Sequence, residues 1–200
     1  MFKIAAFIKF DKKFEKIVLH RKKKVKQKFG DQPYLNHPVH LTLFTLKIKK
    51  TSELKKIYLN QSKQPKKIKL NINSTGIFFN DPLTKGNTIF YSLANNLSLK
   101  NLKMKNLKLI NNKIYVSKKD IVNFDNKILK DNYKKFGFPF SGKIWKPHIT
   151  IASIKTIKQN NLFIKNFLNE KINHKIIVKH IEFYRVSGNN HYLLFKTNIF

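Results

Sequence analysis

Two histidines in this chain stand in the same four-residue frame. They are His40-Leu41-Thr42-Leu43 in VHLTLF and His148-Ile149-Thr150-Ile151 in PHITIA, just over a hundred residues apart. Imidazole titrates near pH 6.5, so near neutrality one ring can take a proton while another gives one. A threonine hydroxyl donates a hydrogen bond to the non-bridging oxygens of a phosphoryl group, where charge must be stabilised during transfer. Two imidazoles and two hydroxyls around one point make an acid-base site for a tetrahedral anion that needs no metal. A single H-x-T means nothing, because such pairs arise by chance. Two copies carry weight, since each lies in an alternating apolar run with a proline one or two residues upstream (Pro38, Pro147).

Both motifs read as strands. In 39–48, Val39, Leu41 and Leu43 alternate with His40, Thr42 and Phe44, and in 148–155 His148, Thr150 and Ala152 share one side. Residues i and i+2 of a strand stand side by side roughly 6–7 Å apart, so each histidine shares a face with its threonine. Around them the pattern predicts a strand at 2–10, a helix over 13–30 stopped by Gly30, a loop at 31–38 and a short helix at 52–61. Strands follow at 66–73, 75–80 and 87–94. The stretch 93–130 reads as helix, weakly patterned segment, helix. A loop at 137–147 leads into the second motif, then a helix near 157–172 and a terminal hairpin of 175–186 with 191–200. Each half thus holds an H-x-T-x strand followed by a helix and strands. The expectation is an α+β fold, a bilobal pseudo-two-fold duplication in a single domain over 1–200, with antiparallel sheets lining a central cleft and helices outside.

Composition bounds the chemistry. Two hundred residues with 42% hydrophobic content suffice for one core, and the absence of cysteine excludes disulfides, thiolate nucleophiles and Cys-ligated metals. The N-terminal apolar stretch is too short for a signal-peptide core or a membrane span, so a soluble, cytoplasmic monomer with no membrane partner is expected. The formal charge of +32 favours polyphosphate partners, yet Arg21 and Arg185 are the only arginines. Lys, Asn and Ile share A/T-rich codons, so part of the lysine excess reflects composition rather than recognition.

The paired motifs, with the upstream YLNHP and GFPFSGKIWKP loops, resemble the two-histidine (2H) phosphoesterase superfamily, in particular the bacterial proteins called 2′-5′ RNA ligases. The resemblance spans most of the chain. It implies a metal-independent, cofactor-free site acting on 2′,3′-cyclic phosphates or 2′–5′ linkages of RNA or nucleotides. By motif position, it makes His40 and His148 the acid-base pair and Thr42 and Thr150 the phosphate binders.

Tyr34, Phe44, Phe138 and Trp145 lie beside or before the motif strands and are candidates to stack on a nucleobase, while Arg185 is a candidate phosphate ligand. His20, His37, His174, His180 and His191 have no partner motif and receive no role. The reading is a phosphodiesterase that opens 2′,3′-cyclic phosphates to 2′-phosphates or makes and cleaves 2′–5′ bonds, with a rate optimum near neutrality. The alternative is a basic RNA-binding module without catalysis.

Overall fold

A computed structural model describes residues 1–59, 66–94, 96–117, 120–121, 126–155, 161–188 and 190–199. Parts of four expected elements lie outside the described residues: 60–61 of the short helix, 95, 118–119 and 122–125 of the stretch 93–130, 157–160 of the later helix and 200 of the terminal hairpin. The strands are β1 (Phe2–Ile8), β2 (Leu41–Ile48), β3 (Ile68–Phe78), β4 (Asn87–Leu93), β5 (His148–Ile154), β6 (His174–Val178), β7 (His180–Ser187) and β8 (Asn190–Asn198). The helices are α1 (Lys12–Phe29), α2 (Thr51–Leu59), α3 (Leu97–Leu109), α4 (Lys127–Phe136) and α5 (Leu162–Leu168). Helix α1 begins where the Asp11 carboxylate accepts the Phe14 N–H at 2.8 Å, and ends at Gly30 in a positive-φ conformation.

Two four-stranded antiparallel sheets result, ordered β2-β1-β7-β8 and β5-β4-β3-β6. The architecture is the expected α+β one, but the lobes are not successive halves of the chain. The first sheet joins both chain ends and the second holds the middle. The run 175–186, read as one strand of a hairpin, passes from one sheet to the other at Lys179: β6 pairs with β3, and β7 pairs with β1 and β8. In the other direction, the two short strands expected at 66–73 and 75–80 form the single strand β3.

Each sheet has one face covered by helices. On the first, the Tyr58 ring of α2 lies 4.6 Å from that of Phe183 in β7. On the second, Phe14 of α1 and Phe167 of α5 pack on Tyr91 of β4, at 5.9 and 5.7 Å between ring centroids. Apolar residues of both sheets and their helices belong to one continuous core, so removing this surface from water stabilises the two sheets as a unit. Among the described residues, no helix is long and apolar enough to cross a membrane.

Candidate active site

Strands β2 and β5 are edge strands of their respective sheets, and they approach one another to within 8 Å between Cα atoms. Each motif thus sits at the seam between the lobes. Each also carries a β-bulge at the same place. Across β1 and β2, Ala6 pairs with Phe44 and Phe7 with Thr42, which leaves Leu43 as the extra residue. Across β4 and β5, Ile89 pairs with Ala152 and Phe90 with Thr150, which leaves Ile151 extra. The fourth residue of H-x-T-x is therefore the bulge in both copies. A bulge shifts the alternation by one residue. In consequence Leu43 and Phe44, like Ile151 and Ala152, are consecutive buried residues, and only the histidine and threonine ends of the motifs keep the outward face.

That face is opposite the helix-covered one in both sheets. Thr42 stands across from Phe7 and Thr150 across from Phe90, whereas Phe183 and Tyr91, which meet the helices, have the other parity. Phenylalanines support the imidazoles. The Phe7 ring stacks on His40 at 3.8 Å, and Phe78 and Phe90 lie 5.0 and 5.1 Å from His148. Phe90 spreads over β3 at Gly76, where a Cβ would come within 2.5 Å of its ring atoms.

The rings are anchored alike. Nδ1 of His40 donates to the Pro38 carbonyl at 2.6 Å, and Nδ1 of His148 donates to the Lys146 carbonyl at 2.7 Å. A carbonyl only accepts, so each Nδ1 carries a hydrogen and Nε2 is the atom left to take or give a proton. Each anchor is two residues upstream in its own loop, and each loop is gripped by a buried lysine. Nζ of Lys22, on α1, donates to the carbonyls of Tyr34, Leu35 and His37 at 2.7, 3.3 and 2.6 Å. Nζ of Lys103, on α3, donates to the Phe140 carbonyl at 3.1 Å and lies 4.1 Å from the Trp145 ring centroid and 5.0 Å from that of Phe138. The loops also tie the lobes together, because the Ser153 N–H of β5 donates to the Pro33 carbonyl at 3.0 Å.

These two amines make stability depend on pH. Burial lowers the pKa of Lys103 to about 6 and that of Lys22 to about 8, against 10.5 in the unfolded chain. Between those values the unfolded chain binds more protons than the folded one, so stability rises with pH from about 6 towards the ordinary lysine range. The thermal midpoint is expected to climb over this interval and to climb less steeply in Lys103→Met. An unchanged slope in that variant would show that the buried amine does not titrate there.

Electrostatics separate the two imidazoles. His40 is pushed down to about 3, above all by burial and then by His191, Lys9 and His37, against the bond to Pro38. Burial also lowers His148, but the Lys146 carbonyl and the charge of Asp81 pull it back up. Asp81 is buried between β3 and β4, where it accepts the Thr88 hydroxyl at 2.6 Å and the Leu83 N–H at 2.9 Å. The motif strands are thus similar in geometry and opposite in charge environment.

No family model and no curated protein matches the chain in sequence. Solved structures do match it in shape. A protein described as a phosphoesterase superposes with a TM-score of 0.63 at 13% identity, over 99% of this chain and 98% of its own. TT0787 of Thermus thermophilus gives 0.65 at 15% identity over 98% and 97%. LigT of E. coli complexed with 3′-AMP gives 0.61 at 12% over 99% and 98%. The chain has the fold of these proteins.

Within this fold the sequence-derived candidates separate. Phe44 is fully buried and packs against Phe183, because the bulge turns it away from the motif face, so it is not a surface for a base. Trp145 is also buried, as is the Lys103 side chain beside it, and Phe138 packs on the Lys103 amine and on Phe140. The Trp145 ring thus shapes the second motif loop instead of offering a face, whereas Phe138 is only half-buried. Arg185 is exposed, but it has the parity of Phe183 and lies over Tyr192 at 5.1 Å, opposite the face that carries Tyr184 and Phe7. Tyr34 remains beside the site, half-buried with positive φ, its ring edge-on to His37 at 5.2 Å. Sequence reasoning missed His37 and His191. His191 comes from β8, yet its ring lies 6.1 Å from that of His40 and 5.6 Å from that of Phe7. Nothing local in HYLLF marks it.

Proposed function

We propose that the protein is a phosphodiesterase that opens 2′,3′-cyclic phosphates of RNA or nucleotides to 2′-phosphates, and that the same site makes or cleaves 2′–5′ bonds. The observation that carries this is the matched anchoring of the two imidazoles. Two facing edge strands each present a histidine with Nδ1 held by a carbonyl two residues back and Nε2 left for proton transfer. The phosphoesterase fold supports it, as do the complexes of E. coli LigT with 3′-AMP, NADP+, ATP and phosphate.

The charge asymmetry supports one division of roles. His40, kept neutral by burial and its cationic neighbours, takes a proton from water at Nε2. The water oxygen bonds to phosphorus and the bond from phosphorus to the ribose 3′-oxygen breaks. His148, whose protonated form Asp81 favours, gives the Nε2 proton to that oxygen. The product is a 2′-phosphate with a free 3′-hydroxyl. Thr42 and Thr150 donate to the non-bridging oxygens; among the described residues, neither hydroxyl is bound to another group.

Incubation with nucleoside 2′,3′-cyclic phosphates and 2′–5′ linked dinucleotides, with products resolved by chromatography, tests this reading. Only 2′-phosphates are expected from the cyclic substrates, and EDTA is expected to leave turnover unchanged. A 3′-phosphate product, or activity lost to EDTA and restored by a divalent ion, would overturn the mechanism. The formal charge of +32 favours the rival reading of a basic RNA-binding module. RNA binding without turnover of any substrate in the panel would select it.

A further inference from the structure

Three imidazoles that no local pattern links are gathered on the face of the first sheet that carries Phe7. His37 comes from the loop before β2, His40 from the start of that strand, and His191 from β8 at the far edge. The His37 and His191 rings are 4.9 Å apart and edge-to-face, and His191 lies 6.1 Å from His40. All three are half-buried, neither lost in the core nor fully solvated. Among the described residues they do not form a metal-ligating group. Lys9, which follows β1, is near enough to act on His40 by its charge. The carboxylate on this face, Glu182, accepts the Tyr184 hydroxyl at 2.6 Å and stands across from Lys196. The His148 side holds Asp81 instead. One side of the site is therefore rich in N–H donors and positive charge, and the other carries a buried carboxylate.

We propose that His37 and His191, with Lys9 nearby, form a second phosphate subsite on the His40 side, which holds the phosphate next to the scissile one on the strand that presents its 5′-oxygen to the phosphorus. The substrate rests on the phosphodiesterase reading above. The direction follows from in-line displacement. The oxygen that exchanges its proton with His40 lies opposite the 3′-oxygen served by His148, so the strand bearing that 5′-oxygen extends past His37 and His191. Water leaves the subsite empty, whereas a polynucleotide fills it. In cleavage of a 2′–5′ bond, the 3′-oxygen bonds to phosphorus as its proton passes to His148. The bond from phosphorus to the 5′-oxygen breaks and His40 protonates that oxygen, giving a cyclic phosphate and a 5′-hydroxyl.

The test compares kcat/KM for a 2′–5′ linked dinucleotide with and without a 3′-phosphate on the nucleoside joined through its 5′-oxygen. A phosphate held by charge-assisted hydrogen bonds predicts a preference of about tenfold or more for the phosphorylated form. His37→Ala and His191→Ala are each expected to bring that ratio towards one, while Lys175→Ala, which removes an exposed charge on β6, leaves it in place. A wild-type ratio near one, or equal loss in Lys175→Ala, would overturn the subsite. A binding measurement keeps this separate from the catalytic reading: inorganic phosphate is titrated into the His40→Ala protein and the imidazole C–H resonances of His37 and His191 are followed by NMR. Shifts in both support the subsite even if no substrate turns over, and their absence overturns it.

Discussion

Replacing His40 or His148 by alanine is expected to lower kcat for a nucleoside 2′,3′-cyclic phosphate by about two to four orders of magnitude, the range of a positioned general acid or base. Each ring has its hydrogen-bond anchor and its phenylalanine support, so loss of the imidazole removes a group already held in place. The double variant should be little worse than the worse single one, because a base without its acid partner leaves the transfer incomplete. Thr42→Ala and Thr150→Ala should each cost about one to two orders, since each removes one of several donors to the phosphoryl oxygens. Steady-state kinetics with circular dichroism as a folding control decide the matter. Cleavage retained in the double histidine variant would leave the assignment without support.

The pH dependence of kcat/KM should be displaced to acid. This constant reports the free protein, in which the proposed mechanism needs His40 neutral and His148 protonated. His40 loses its proton near 3, so the rate is expected to rise only at the acid extreme. His148 lies below its ordinary value of 6.5, so the rate falls as pH rises through that lowered pKa. Between about pH 5.5 and 8.5 the protonated fraction of a group titrating at or below 6.5 drops by about a hundredfold or more, and kcat/KM should follow it. The neutral optimum expected from two unperturbed imidazoles gives way because burial disfavours both charged rings. Asp81→Asn removes the charge that raises His148, so its alkaline limb should move to lower pH. An alkaline limb above neutrality in the wild-type protein, or no movement in Asp81→Asn, would count against His148 as the acid.

The sequence by itself determined the parts of this protein whose cause is local. Strand alternation around each H-x-T-x follows from the two-residue period of side chains, and α1 stops at Gly30 because glycine accepts positive φ without a Cβ penalty. The α+β composition and the side of the strand that carries each histidine and its threonine were legible for the same reason. Tertiary structure alone decided the rest. The bulges at Leu43 and Ile151 arise from pairing with β1 and β4, strands distant in sequence or set by the whole sheet, and they reversed the expected direction of Phe44 and Ala152. The passage of 175–186 from one sheet to the other depends on which edges are already paired, which no short window of residues records. Lys22 and Lys103 were hidden among 42 lysines and arginines, since only packing buries a lysine nitrogen against three carbonyls or over an indole ring. His37 and His191 lacked a motif because their neighbourhood is made by the curl of a sheet that brings β8 back to the start of β2, and proximity of that kind is a property of the folded chain.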